Sequence, residues 1–134
     1  MKRRILIVDD EKTFQFSAQI ALRRAGYRTE AAGDGVEALG KILESEERSD
    51  PFDLLLLDIR MPRMSGVELI DELIRRGKFL PTVVISSFLD RGLILELESK
   101  GCSTILEKPF PPQELVGTID DTLLKLSAST AQGE

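Results

Sequence analysis

Short apolar runs alternate along this chain with stretches in which apolar residues return every three or four positions. Ile5-Leu6-Ile7-Val8 and Leu54-Leu55-Leu56-Leu57 are the clearest runs, and the full pattern predicts strands near 4–8, 28–32, 53–57, 82–86 and 104–107. Helical periodicity fills the intervals. Phe14, Ala18, Ala21, Leu22 and Ala25 form a stripe that stops at Gly26, a C-terminal cap. A second helix starts at Asp34, with Glu37 in the capping-box position, and carries Val36, Leu39, Ile42 and Leu43. A third starts at Ser65, with Glu68 three residues on, and packs through Val67, Ile70, Leu73 and Ile74. The last opens after Pro111-Pro112, where proline suits a first turn, and shows Leu115, Ile119, Leu123 and Leu126. Between about 90 and 100, Leu93, Ile94, Leu95 and Leu97 spread around more of a helix than one buried face needs. Either a partner covers the extra face or that helix is buried more deeply than its neighbours. Strands alternating with helices imply an α/β fold whose parallel strands are joined by right-handed crossovers.

Composition narrows what such a fold does. The 134 residues make one domain, expected over 1–126, with 127–134 a small polar tail that is either a frayed end or the start of a linker. The net charge is −5, and the basic clusters Lys2-Arg3-Arg4, Arg23-Arg24 and Arg75-Arg76 read as solvated element ends, so no direct nucleic acid contact is expected. There is no histidine, which excludes Ser-His and Cys-His catalysis and disfavours a zinc enzyme. The single cysteine, Cys102, reads as a packing residue and permits no disulfide within the chain. No window approaches the roughly 20 apolar residues of a membrane span, and the amino terminus lacks the longer apolar stretch expected of a signal peptide. A cytoplasmic domain without membrane contact is expected.

In an open parallel sheet, ligands sit in the crevice beyond the carboxyl ends of the strands. The first run ends in Asp9-Asp10-Glu11, the third in Asp58, the fourth in Ser86-Ser87, and the fifth leads to Lys108-Pro109. Three carboxylates in one crevice raise each other's proton affinity and are tolerated as anions only beside cations. Mg2+, or Mn2+, suits an oxygen-only donor set and keeps positions open for water and phosphate oxygens. Lys108 adds a mobile positive charge, Ser86 a hydroxyl, and a carboxylate is itself a competent nucleophile for phosphorus.

These residues stand in an order that closely resembles the receiver domain of two-component response regulators, of the chemotaxis-regulator type. The matching segments are Val8-Asp9-Asp10-Glu11, Asp34-Gly35-Val36-Glu37-Ala38-Leu39 and Asp58-Ile59-Arg60-Met61-Pro62-Arg63-Met64-Ser65-Gly66, then Pro81 leading to Ser86 and Gly101 leading to Lys108-Pro109-Phe110. Each is common alone, but their order and spacing over about 4–126 are specific. The resemblance implies a doubly wound, flavodoxin-like (βα)5 fold of five parallel strands in order 2-1-3-4-5. It implies Asp58 as phosphoacceptor, Asp10 as a direct metal ligand, Asp9 as an acid that holds the metal through water, and the Arg60 backbone carbonyl as a further ligand. Lys108 would pair with the phosphorylated aspartate, the bond to Pro109 would be cis, and Ser86 would be the switch hydroxyl. The expected function is phosphorelay signal transduction. A sensor histidine kinase or phosphotransfer protein supplies the phosphoryl group, and an output domain or downstream protein reads the change. The domain catalyses only its own phosphorylation and dephosphorylation, and a homodimer through the fourth and fifth helices is plausible for the fold.

Three positions depart from the usual pattern or modulate it. Ile105 stands three residues before Lys108, where the family has a switching aromatic, so coupling by an inward-swinging ring is not available. Output is then expected to run through the last strand and flanking helices by another packing change. Arg60 and Phe88, two residues beyond Asp58 and Ser86, border the path of an attacking water, and a rather long-lived phosphoaspartate is expected. Ser87 reads as a packing residue rather than a second donor. The competing readings are an aspartyl-phosphate hydrolase, which would place its nucleophile in D-x-D on the first strand, and a constitutive scaffold, which would lack the acids or the lysine.

Overall fold

In the computed structural model, which describes residues 2–78 and 80–132 and side chains through Leu126, the apolar runs lie side by side in one sheet. Strands β1 (Arg4–Val8), β2 (Arg28–Ala32), β3 (Leu54–Asp58), β4 (Thr82–Ser86) and β5 (Thr104–Glu107) alternate with helices. These are α1 (Lys12–Arg24), α2 (Gly35–Glu47), α3 (Gly66–Arg75), α4 (Arg91–Ser99) and α5 (Pro112–Gln132). All pairings are parallel and the order is 2-1-3-4-5, as expected. The chain leaves β1 for β2 on one side and returns across it to β3, so the helices after β1 and β3 part and leave a crevice between the two strand ends.

The register explains why the central strands are apolar at every position. Ile5 pairs with Leu54, Leu56 with Val83 and Ile85 with Leu106, which puts these residues on one face against Ala18 and Leu22 of α1 and Leu115, Ile119 and Leu123 of α5. The alternate residues Leu6, Val8, Leu55, Leu57 and Val84 meet Ala38 and Ile42 of α2, Leu69, Ile70 and Leu73 of α3, and Leu97 of α4. Leu54 to Leu57 are all fully buried, and each contributes about 1.5–3 kcal/mol of transfer free energy. That two-sided burial holds Asp58, the next residue, at a fixed point of the sheet edge.

Several boundaries and faces differ from the pattern read along the chain. β3 includes Asp58, because β4 continues beside it: Asp58 pairs with Ile85, and the Ile59 amide donates to the Ile85 carbonyl at 3.1 Å. Ala25, Val36 and Ile74 are exposed rather than on core stripes: Ala25 is the C-cap of α1, and the residues facing the sheet are Ala38 and Ile42 in α2 and Leu69, Ile70 and Leu73 in α3. At α2 the Asp34 carboxylate caps the Glu37 amide, but the Glu37 side chain accepts from Gly33 instead of closing the box. At α3 the box is complete, with Ser65 and Glu68 each accepting from the other's amide. The α5 backbone continues past Leu126 through Gln132, consistent with a segment that has no glycine or proline before Gly133; Gly133 and Glu134, the end of the expected tail, lie outside the described residues.

The two alternatives for α4 are decided by burial. Leu97 is fully buried, Leu93 and Ile94 are half-buried, and Leu95 is 58% exposed. The extra apolar face is therefore turned outward. Among the described residues, no helix is long and apolar enough to cross a membrane.

Candidate functional site

The strand ends bring Asp9, Asp10, Asp58 and Lys108 into one crevice. Asp9 is fully buried; its Oδ1 accepts from the Glu11 amide at 2.9 Å and its Oδ2 from Lys108 Nζ at 2.7 Å. Asp58 is 8% exposed, with Oδ1 accepting from the Arg60 amide at 2.9 Å and Oδ2 lying 3.4 Å from Lys108 Nζ. Asp10 is exposed and makes no hydrogen bond or ion pair with another described residue. One carboxylate oxygen from each of the three acids lies within 4.8 Å of the others. Glu11, with Oε1 at 3.7 Å from Lys108 Nζ, adds a fourth acid around a single ammonium.

That imbalance governs the electrostatics. Burial pushes the Asp58 carboxyl above the usual carboxylate range, the Asp9 charge pushes it further, and the Arg60 amide and Lys108 oppose both. Burial alone would drive the Lys108 ammonium toward neutrality, but the hydrogen bond to Asp9 and the charges of Asp9 and Asp58 reverse this and tighten its proton. Lys108 Nζ also sits 4.3 Å from the centroid of the Phe14 ring, which stands edge-on to Phe110. A hard divalent cation fits what is present: three oxygen donors, no nitrogen or sulfur ligand, and more negative charge than one lysine offsets.

The loops are built to hold these groups. A Cβ on Gly66 would fall 2.7 Å from the Asp58 carbonyl oxygen and from Ile59 Cα, so only glycine lets α3 start this close to the β3 end. Ser86 is fully buried and turned toward its own loop: its hydroxyl donates to the Phe88 carbonyl at 2.8 Å and accepts from the Phe88 amide at 3.2 Å. The Phe88 ring, 58% exposed, is covered by the Arg60 guanidinium at 5.3 Å, joining the loops after β3 and β4. The Lys108–Pro109 peptide is cis, as expected. Ser87 is exposed rather than packed, and Ile105 is half-buried beside Val84 on the face shared with α4.

Some contributors were not singled out along the chain. Gln15 is 6% exposed, and its side-chain amide donates to the Asp9 and Ala32 carbonyls, pinning α1 under the site. A glutamine beside Phe14 in an apolar stripe was the available signal. Glu11 was visible only as the third acid after the first run and Phe14 only as part of an apolar stripe, because their contacts with Lys108 come from where that residue folds back.

A doubly wound sheet with three acids and a lysine at its switch point defines a domain equipped to receive a phosphoryl group. The profile of the response regulator receiver domain matches residues 5–120, and the chain belongs to this family. It is 35% identical over 120 residues to MtrA, a DNA-binding response regulator of Mycobacterium tuberculosis, a match covering 89% of this chain and 50% of MtrA. It is 33% identical over 134 residues to PdtaR, a transcriptional regulatory protein of the same organism, covering 98% of this chain and 62% of PdtaR. The chain thus spans about half the length of the first of these relatives. The chemotaxis protein CheY4 of Vibrio cholerae superposes with a TM-score of 0.82 at 29% identity, over 91% of this chain and 99% of CheY4. The protein is a receiver domain of the two-component response regulators, which act in phosphorelay signalling.

Proposed function

We propose that Asp58 accepts a phosphoryl group from a phosphohistidine on a kinase or phosphotransfer partner, and that the loop after β4 reports its arrival. The placement of Asp58 carries this reading: one oxygen is held by the Arg60 amide while the other faces Lys108, beside two further acids. An Asp58 oxygen attacks phosphorus, the phosphorus–nitrogen bond breaks, and the leaving imidazole keeps the electron pair and takes a proton from solvent. Asp9, Asp10, Asp58 and the Arg60 carbonyl would hold Mg2+ or Mn2+, which neutralises charge on the transferred group when bound. Lys108 would share that work by exchanging its contact with Asp9 for one with a phosphoryl oxygen.

Ser86 supplies the switch. To donate to the phosphoryl group, its hydroxyl must leave the Phe88 carbonyl, which releases the loop leading into α4. With Ile105 in place of an aromatic, the change passes through that loop and the lightly buried α4 to an output domain or a separate protein. Exposed Leu95 of α4 and Leu124 of α5 offer apolar contact there, to such a target or to a second copy of the domain.

The test is intact mass after incubation with Mg2+ and a small acyl phosphate. The expected result is one phosphate adduct on the wild-type protein and none on Asp58→Ala. Turnover of the acyl phosphate without an adduct would favour a hydrolase, and neither adduct nor turnover would favour a scaffold.

A further inference from the structure

The loop between Asp58 and α3 is fastened to a turn that the phosphoryl chemistry does not use. The Gly35 amide, at the start of α2, donates to the Met64 carbonyl at 2.9 Å, and Arg63 Nε lies 3.2 Å from Asp34 Oδ2. A Cβ on Gly35 would meet the Met64 carbonyl oxygen at 2.5 Å and Met64 Cβ and Cγ at 2.7 Å. Gly35 does not have a positive φ, so its backbone conformation is open to any residue, and the close approach alone requires glycine. Gly40, further along the same helix, has open space where a Cβ would stand. Arg63, between Arg60 and this contact, takes a φ of 64°, a conformation that persists in a non-glycine residue when its surroundings hold it. The far end of the loop is held by Gly66 against the Asp58 and Ile59 backbone. The segment that carries the Arg60 carbonyl is thus clamped between the β3 end and the α2 N-terminus.

We propose that Gly35 is a positioning residue for the divalent-ion site: its close approach to Met64 fixes the loop that presents the Arg60 carbonyl, and so sets how tightly the site holds Mg2+. The inference rests on reading Asp9, Asp10 and Asp58 as that ion's ligands. Magnesium demands near-octahedral geometry and tolerates a displaced ligand poorly. A methyl at position 35 must push the Met64 peptide outward, and the displacement is carried back toward Arg60.

Calorimetric titration with Mg2+ alone, on wild type, Gly35→Ala and Gly40→Ala, tests this without any phosphoryl donor. Gly35→Ala is expected to weaken Mg2+ binding about tenfold, the low end of what orienting groups contribute to metal sites. Gly40→Ala is expected to bind as wild type and to raise the urea midpoint, because alanine replaces a mid-helix glycine without a clash. A folded Gly35→Ala protein with wild-type Mg2+ affinity would overturn the inference. Should Gly35→Ala not fold, Asp34→Asn keeps the helix cap while removing the ion pair to Arg63. Its loss of Mg2+ affinity, about twofold, should then not add to that of Arg63→Gly; full additivity would equally overturn the clamp. Failure of the wild-type protein to form the Asp58 adduct, with Mg2+ affinity still falling in Gly35→Ala, would remove the phosphoacceptor reading and leave the clamp standing.

Discussion

At the scale of single residues, the site is a contest between burial and charge around Asp58 and Lys108. Burial works against the charge on both groups: the Arg60 amide and then Lys108 oppose it at Asp58, and Asp9 and then Asp58 oppose it at Lys108. The Arg60–Phe88 cation–π contact joins the loops that follow Asp58 and Ser86, where it would cover the carboxylate proposed to carry the phosphoryl group. Such a contact is worth about 0.5–1 kcal/mol at an exposed site. If it must open before water reaches the phosphoaspartate, its loss raises the hydrolysis rate by roughly two- to fivefold. Arg60→Ala and Phe88→Ala are each expected to shorten the lifetime of the adduct by that factor, followed by intact mass over time. The double variant should match the single ones, since all three lose the same contact. An adduct lifetime unchanged in both single variants would refute the cover.

At the scale of elements, the helices divide by how they are anchored. α3 has a complete capping box, Gly66 seated on the β3 end, and Leu69, Ile70 and Leu73 in the core. α4 has an Asp90 cap but buries only Leu97 fully among its residues. A well-anchored helix beyond Asp58 and a lightly buried one beyond Ser86 is the arrangement the proposed switch needs, because the carboxylate proposed to accept the phosphoryl group must stay put while the reporter moves. The α3 box is directly testable. Ser65→Ala is expected to cost about 1 kcal/mol, read as a lower urea midpoint with an unchanged slope. Adding Glu68→Ala should cost little more, because the reciprocal bonds form as a unit. Equal and additive losses would mean that the two residues act separately.

At the scale of the whole molecule, a polar contact between residues far apart in the chain ties the last helix to the segment that opens β2. The Tyr27 hydroxyl donates to the Asp120 carboxylate, and burial followed by that carboxylate pushes the phenol up to about 12. A folded-state value above the unfolded one means the neutral phenol favours folding. That contribution is fully present below pH about 10, the ordinary tyrosine range, and is lost as pH rises through the folded value. The chain has one tyrosine and no tryptophan, so phenolate absorbance reports this group without overlap. The native protein is expected to titrate near 12, and Asp120→Asn to titrate lower, closer to the unfolded chain. A native midpoint near 10 would refute the contact. Much of the molecule was legible before any coordinates. Runs such as Leu54 to Leu57 have to be buried on both faces, and a chain alternating such runs with amphipathic helices has to place Asp9, Asp10, Asp58, Ser86 and Lys108 at one sheet edge. The sequence by itself therefore determined the strand and helix order, the acids and the lysine, and the family they belong to. Tertiary structure alone decided that Lys108 rests against Asp9, that Ser86 turns to its own loop, that α4 turns Leu95 outward, and that Gly35 presses on Met64. Those are contacts between segments far apart in the chain, set by how packed elements meet, and no local periodicity encodes them.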